Sequence, residues 1–413
     1  MRLPARLIAS VVALMFALPA GAASPPPAAD APPPGLTVDR VVILLRHGVR
    51  PPTKAQPLPA GVTGDAWPTW PVQPGWLTPN GAAAIGRIAG WDAARLKGQG
   101  LLPAQGCPAP GAVRVVADSD QRTIATAAMW LIAAAPGCNI PSEHKPQDVP
   151  DPAFNAIESG LGTFDPTRAT AEVTAAVGPG GFAALDSSYH DLLHRIDAVF
   201  CGSATTSCGV SGKPSGLRAA GPGQRPKLSG ALDTASTAAQ ILLLEYADGK
   251  PLAEVGWGRA SAADIGAFSA FHALEFRLLA RPRAVAVPSF AGLAPIVSTG
   301  LTGSARVTLI AGHDTNVANL GGLLDAHWKV PGFSADDPTP GGAVLIERLS
   351  DAKGATYVRA LYRSQTLDQI RNGTPTSAGQ PYLAVMPIAG CSALGMRGLC
   401  TLAQFQQKLT TPG

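Results

Sequence analysis

Residues 40–54, RVVILLRHGVRPPTK, decide the fold. Val41 to Leu45 are apolar without interruption, so they read as a strand buried on both faces, as in the parallel sheets of α/β proteins. The run ends at Arg46-His47-Gly48, where a core segment gives way to reactive side chains. Two more segments repeat this plan. Val113 to Ala117 leads through Asp118, Ser119 and Asp120 into a helical run, Arg122 to Ala135, which any of those three residues can cap. Val307 to Ala311 leads through Gly312 into a helix expected from Thr315 to about Ala326, and residues 343–348 and 356–363 read as further strands. Strands alternating with helices imply an α/β sheet. Residues 150–285 differ, with helical patterns over 182–200, 228–246 and 261–279 and few strands. The expected organisation is an α/β domain of residues 37–149 and 286–413, interrupted by a mostly helical domain of residues 150–285.

Ahead of this body the sequence reads as a targeting segment. Arg2 and Arg6 precede an apolar run from Leu7 to Leu18, and small residues at Ala20 to Ala23 supply a cleavage site, so residues 1–23 are expected to be a signal peptide. The run is shorter than the roughly 20 apolar residues that span a bilayer. Residues 24–36, rich in proline, are expected to be a disordered linker. The implied mature protein is periplasmic, free of the membrane after cleavage, and expected to be a monomer. Charged residues make up 15% of the chain, below the roughly 25% usual for soluble domains, and the net charge of +4 is dispersed. With no basic run interleaved with aromatics, nucleic acid is not an expected partner. Six cysteines in an exported chain imply disulfides, and chain order suggests that neighbours pair: Cys107 with Cys138, Cys201 with Cys208, Cys391 with Cys400.

Three strand ends carry the candidate chemistry, and ligands of open α/β sheets bind beyond the carboxyl ends of strands. After the first strand stands His47 between Arg46 and Arg50. Neutral imidazole is a good nucleophile toward phosphorus, and arginines offer forked, permanently charged donors for phosphate oxygens. After the third strand stand His313 and Asp314, an imidazole for phosphate oxygens and a carboxyl able to protonate a leaving alkoxide. Arg122 follows the second strand. Singly, each has a plainer explanation: incidental loop arginines, a helix cap at Asp314, a solvated Arg122. Three strand ends with phosphate-appropriate groups together are hard to attribute to chance.

The motifs RHGVRPPTK and HDTN resemble the two signatures of the histidine acid phosphatases. Residues 65–73 (DAWPTWPVQ), 75–81 (GWLTPNG), 311–322 (AGHDTNVANLGG), 340–348 (PGGAVLIER) and 389–400 (AGCSALGMRGLC) look like the enterobacterial periplasmic phytases. The resemblance covers nearly the whole mature chain and is loosest in the helical middle. It implies a mixed, mostly parallel sheet flanked by helices, with the active site in the cleft beside the helical domain. It also implies His47 as nucleophile and Asp314 as proton donor. Arg46, Arg50, Arg122 and His313 would hold the reacting phosphoryl group, with Thr53 and Lys54 on other parts of the substrate. Phytate at acidic pH is the expected substrate, with no cofactor and no metal. Gln121 and Gln240 depart from the glutamates expected there, and the relatives' fourth disulfide has no cysteines here.

Other readings compete. A glucose-1-phosphatase or a broad acid phosphatase would use the same scaffold; Gly48 and Thr315 favour the phytase side. A phospho-ligand binding protein would not need both His47 and Asp314. His190 and His194 stand on one helical face as in H-E-x-x-H zinc sites, but the intervening acid is Asp191 and no third ligand is evident. Trp67, Trp70 and Trp76 read as packed loop residues rather than a ring-binding groove. His144, His272 and His327 suggest no partner.

Overall fold

The computed structural model describes residues 31–203 and 208–411. The signal peptide expected over 1–23 and the first part of the linker lie outside the described residues. The end of that linker is not loose: the Ala31 carbonyl accepts a hydrogen bond from Arg359 at 3.0 Å, and Leu36 is buried.

Among the described residues ten strands are formed: β1 (Thr37–Arg46), β2 (Val113–Ala117), β3 (Ser142–Glu143), β4 (Gly216–Arg218), β5 (Lys227–Ser229), β6 (Val307–Gly312), β7 (Ala343–Ser350), β8 (Thr356–Ser364), β9 (Tyr382–Met386) and β10 (Cys400–Thr401). Eight of them make one sheet in the order β10-β8-β7-β1-β6-β2-β3, with β9 also on β8; β4 and β5 form a separate hairpin. The sheet is mixed. From β1 through β6 and β2 to β3 the pairs are parallel, and from β1 through β7 to β8 they are antiparallel.

β1 is buried on both faces because its side chains alternate between two cores. Val41, Ile43 and Leu45 join Ile85, Ala89 and Trp130 of the helices Pro79–Gly98 and Gln121–Ala134. Val42 and Leu44 face the other way, into a cluster that runs without a break into the helical segment through Leu242, Ile265, Phe268 and Phe271. The helical segment therefore shares its core with one face of the sheet.

Sequence expectations and structure differ in three places. The helix expected over 182–200 is two, Gly181–Ser188 and His190–Cys201, separated at Tyr189. The run expected from 228 begins as β5 and becomes helix only at Ala231–Ala247, after Gly230 in a positive-φ conformation. The boundary expected at residue 286 falls inside the helix Arg283–Phe290, which starts after Pro282. The disulfides Cys107–Cys138, Cys201–Cys208 and Cys391–Cys400 are formed, with Cα separations of 5.5, 5.6 and 4.8 Å. Among the described residues no single helix is long and apolar enough to cross a membrane.

Candidate active site

The parallel register brings three strand ends to one level. Leu45 pairs with Ala311 and Arg46 with Gly312, while Ala117 pairs with Ala311 from the other side. The residues that follow, His47, Asp118 and His313, are thus neighbours although up to 266 positions separate them in the chain (313 − 47). Two further bonds continue the ladder: His47 N–H donates to the Gly312 carbonyl at 2.9 Å and Asp118 N–H to Ala311 at 3.1 Å. Gly341 N–H donates to the His47 carbonyl at 3.1 Å, so the 340–348 motif also fixes the histidine's backbone. Gly48 is required by close packing. A Cβ there would lie 2.8 Å from Leu77 Cδ1 and 2.9 Å from the Gly81 carbonyl, so the backbone it approaches is that of the helix Pro79–Gly98.

A cavity of about 230 Å³ opens above these ends, lined by His47, Arg50, Asp118, Arg122, His313 and Asp314 among others. His47 Nδ1 donates to the Gly48 carbonyl at 2.8 Å, which leaves Nε2 with the free lone pair of a neutral imidazole. Burial, then the charges of Arg122, Arg50 and Arg46, hold its pKa well below the ordinary histidine value. Burial also lowers Arg50 to about 10, with Arg122 adding to the shift. For Asp314 burial pushes the carboxyl upward. The opposing Arg46, with His272, His47 and Arg50, outweighs it and holds the group well below the usual carboxylate range.

The expected residues are placed unevenly. Arg50, Arg122 and His313 line the cavity with His47 and Asp314. His313 bonds to Asp118 at 2.6 Å, and Arg122 donates to Asp120 at 2.7 Å. Asp120, the helix N-cap residue, makes no side-chain cap bond and serves Arg122 instead. Arg46 is buried behind the wall. Its guanidinium meets Asp314 at 3.0 Å, Gln240 Oε1 at 3.0 Å and the Pro338 carbonyl. Thr53 is exposed and flanks Gly75, as Arg122 does: a Cβ on that glycine would lie 3.6 Å from each. Lys54 lines a different hollow, among Pro51, Trp67, Trp70 and Glu245.

Neither glutamine departure lines the cavity with His47. Gln121 accepts the Leu77 N–H at 2.9 Å, a role a glutamate would also fill. Gln240 orients Arg46 through its oxygen, while its nitrogen is buried without a partner. Trp67 packs against Phe200 and Trp257 at 6.0 and 5.3 Å between ring centres, and Trp70 carries Lys250 over its face. His190 and His194 bring their Nε2 atoms within 3.0 Å on an exposed face. Among the described residues, the group whose donor atoms could hold a metal ion is Asp118, Asp120 and His313, all within 4.8 Å of one another. Those donors are bonded to each other and to Arg122.

The sequence reading did not find three nearby groups. Arg225 and Glu158, paired at 2.8 Å, line the cavity and its neighbour. His272, buried on the helix Ala262–Leu279, sits 2.6 Å from Asp337 and 3.8 Å from Asp314. Its signal was a histidine three residues before Glu275 on an otherwise apolar helix face, polar groups that burial obliges to find partners.

Known proteins share this arrangement of chain. Residues 37–174 match the family model described as the histidine phosphatase superfamily, branch 2. Phytase AppA of Escherichia coli (strain K12) is 35% identical over 404 residues, covering 91% of either chain. A glucose-1-phosphatase of Salmonella typhimurium is 26% identical over 391 residues, covering 92% of this chain and 93% of that one. The solved structure of Hafnia alvei phytase in complex with myo-inositol hexakis sulphate superposes with a TM-score of 0.83 at 32% identity, covering 92% of this chain and 99% of that one.

Proposed function

The chain belongs to branch 2 of the histidine phosphatase superfamily, and on that premise we propose that it hydrolyses phytate in acid through a phosphohistidine at His47. The observation that carries this reading is the bond from His47 Nδ1 to the Gly48 carbonyl, which leaves Nε2 as the nucleophile in a cavity walled by Arg50 and Arg122. Nε2 attacks phosphorus while the bond to the leaving oxygen breaks. Arg50, Arg122 and His313 bind the phosphoryl oxygens, and their charge does what metals do in other phosphatases. Asp314 protonates the departing alkoxide, then takes a proton from the water that displaces phosphate from His47. Arg46, paired with Asp314, orients the acid.

Thr53, Lys54 and Arg225 are the groups we assign to the substrate's remaining phosphates. The α/β parts, 37–149 and 286–413, supply the chemistry, and the helical domain, 150–285, supplies the rim. Export to the periplasm fits three disulfides, which persist in oxidising compartments. A second reading, a phosphatase with broader preference, draws on the position of Lys54 in a separate hollow. Denaturation without acid during turnover tests the first step: acid-labile phosphate belongs on the peptide holding His47, and its absence there would sink the reading. Relative kcat/KM on phytate, glucose-1-phosphate and p-nitrophenyl phosphate separates the two preferences.

A further inference from the structure

The reaction asks Asp314 to deliver a proton, yet its surroundings favour the carboxylate. One oxygen accepts the Thr315 N–H at 2.9 Å, and the other meets Arg46 at 3.0 Å. An acid so placed needs a proton source within reach. The helical segment offers one. His272 turns Nδ1 to Asp337 at 2.6 Å and Nε2 to the same Asp314 oxygen that Arg46 contacts, at 3.8 Å. His272 is 4% exposed and Asp337 1% exposed, so bulk water does not stand between them. The other carboxylate near His272 is Glu275 of its own helix, which burial pushes toward its neutral form and to which Ser236 donates. Phe276 closes the remaining side, edge to face with the imidazole at 4.5 Å.

We propose that His272, clamped by Asp337, is a positioning residue that lends Asp314 the proton it passes to the leaving oxygen and takes it back in the second half-reaction; this rests on the reading of Asp314 as the general acid. In its imidazolium form His272 carries hydrogen on both nitrogens, one bonded to Asp337 and one aimed at Asp314. As the P–O bond breaks, its electron pair goes to the alkoxide oxygen. The proton on His272 Nε2 passes to the Asp314 carboxylate, and Asp314 gives it to that oxygen, which leaves Asp314 a carboxylate and His272 neutral. When water attacks the phosphohistidine, Asp314 takes the water's proton and returns one to Nε2, while the N–P electron pair goes back to His47. Nothing is left over: ester and water become alcohol and phosphate. The 3.8 Å gap must shorten to hydrogen-bond length during turnover, as catalytic contacts in unliganded sites commonly do.

A merely structural histidine would, when replaced, damage all substrates alike. The test uses the full chain with His272→Asn, Asp337→Asn and Asp314→Asn, assayed on an alkyl phosphate and on p-nitrophenyl phosphate across acidic to neutral pH. His272→Asn should lower kcat on the alkyl ester on the order of tenfold more than on the aryl ester, with little change in KM, and should move the alkaline limb of the alkyl profile. Asp337→Asn, which keeps the imidazole, should move both readouts the same way by less, and it carries the test if His272→Asn does not fold. Equal losses on both esters, or an unmoved alkaline limb, overturn the proposal. If Asp314→Asn discriminates between the esters and the other two do not, only the role of His272 falls. If Asp314→Asn does not discriminate, the general-acid reading falls first.

Discussion

The two walls of the cleft are built on different principles. On the sheet side, His47, Asp118 and His313 each follow a buried strand, and parallel register alone brings them level. On the helical side, Gln240, His272 and Arg225 reach the site from two helices and a hairpin loop whose mutual placement depends on packing through a large shared core. On the proposed reading the sheet wall carries the chemistry. The helical wall adjusts it.

The sharpest way to break this contrast is His47→Ala, which should lower kcat on every ester by at least about 10⁴-fold, as loss of a covalent nucleophile does. Residual activity above a few per cent would remove the sheet wall's central residue. Asp314→Asn comes next. An expected loss of about 10²- to 10³-fold on alkyl phosphates should shrink on p-nitrophenyl phosphate, whose leaving group needs little protonation; kcat on the two esters measures it.

A smaller effect lies in pH-dependent stability. The native pKa of His47 is depressed, so below the unfolded value of roughly 6.5 the unfolded chain binds a proton that the native one refuses. Stability from this source therefore falls as pH drops, by no more than about 1.4 kcal/mol per pH unit. Denaturant melts at several values from pH 7 to pH 5 should show a gentler decline for His47→Asn than for the original chain; parallel curves would contradict the buried, arginine-surrounded imidazole. The smallest effects belong to the rim. Arg225→Ala should lower kcat/KM on phytate by up to about tenfold and spare p-nitrophenyl phosphate, while Lys54→Ala should change either by about twofold or less, as befits exposed charges. A larger loss for Lys54→Ala would place phytate over the tryptophan-lined hollow.

The same contrast explains what the sequence disclosed. An uninterrupted apolar run such as Val41 to Leu45 announces a doubly buried strand, and strand ends announce a site, so His47, Arg50, Arg122, His313 and Asp314, which line one cavity, are legible as a group residue by residue. The contacts of Arg46 are harder to read. Its long side chain turns behind the wall to Asp314 and Gln240, a choice made by partners distant in sequence. The partners of His272 were illegible for the same reason: the Asp314 and Asp337 carboxylates it meets lie more than 40 residues away in the chain (314 − 272 = 42; 337 − 272 = 65). The break at Tyr189 has neither glycine nor proline to mark it.

The core that runs from Val42 and Leu44 into Phe268 and Phe271 has a consequence for anyone who would exchange specificity between relatives. A helical rim transplanted from a homologue would arrive with side chains shaped to another sheet. The graft would leave voids or clashes under β1 itself, and it would disturb the strand that aims His47. Pocket and scaffold are in this sense one inheritance, so a change of diet must be made at the tips of the helices or else repacked down to the strand that ends at His47.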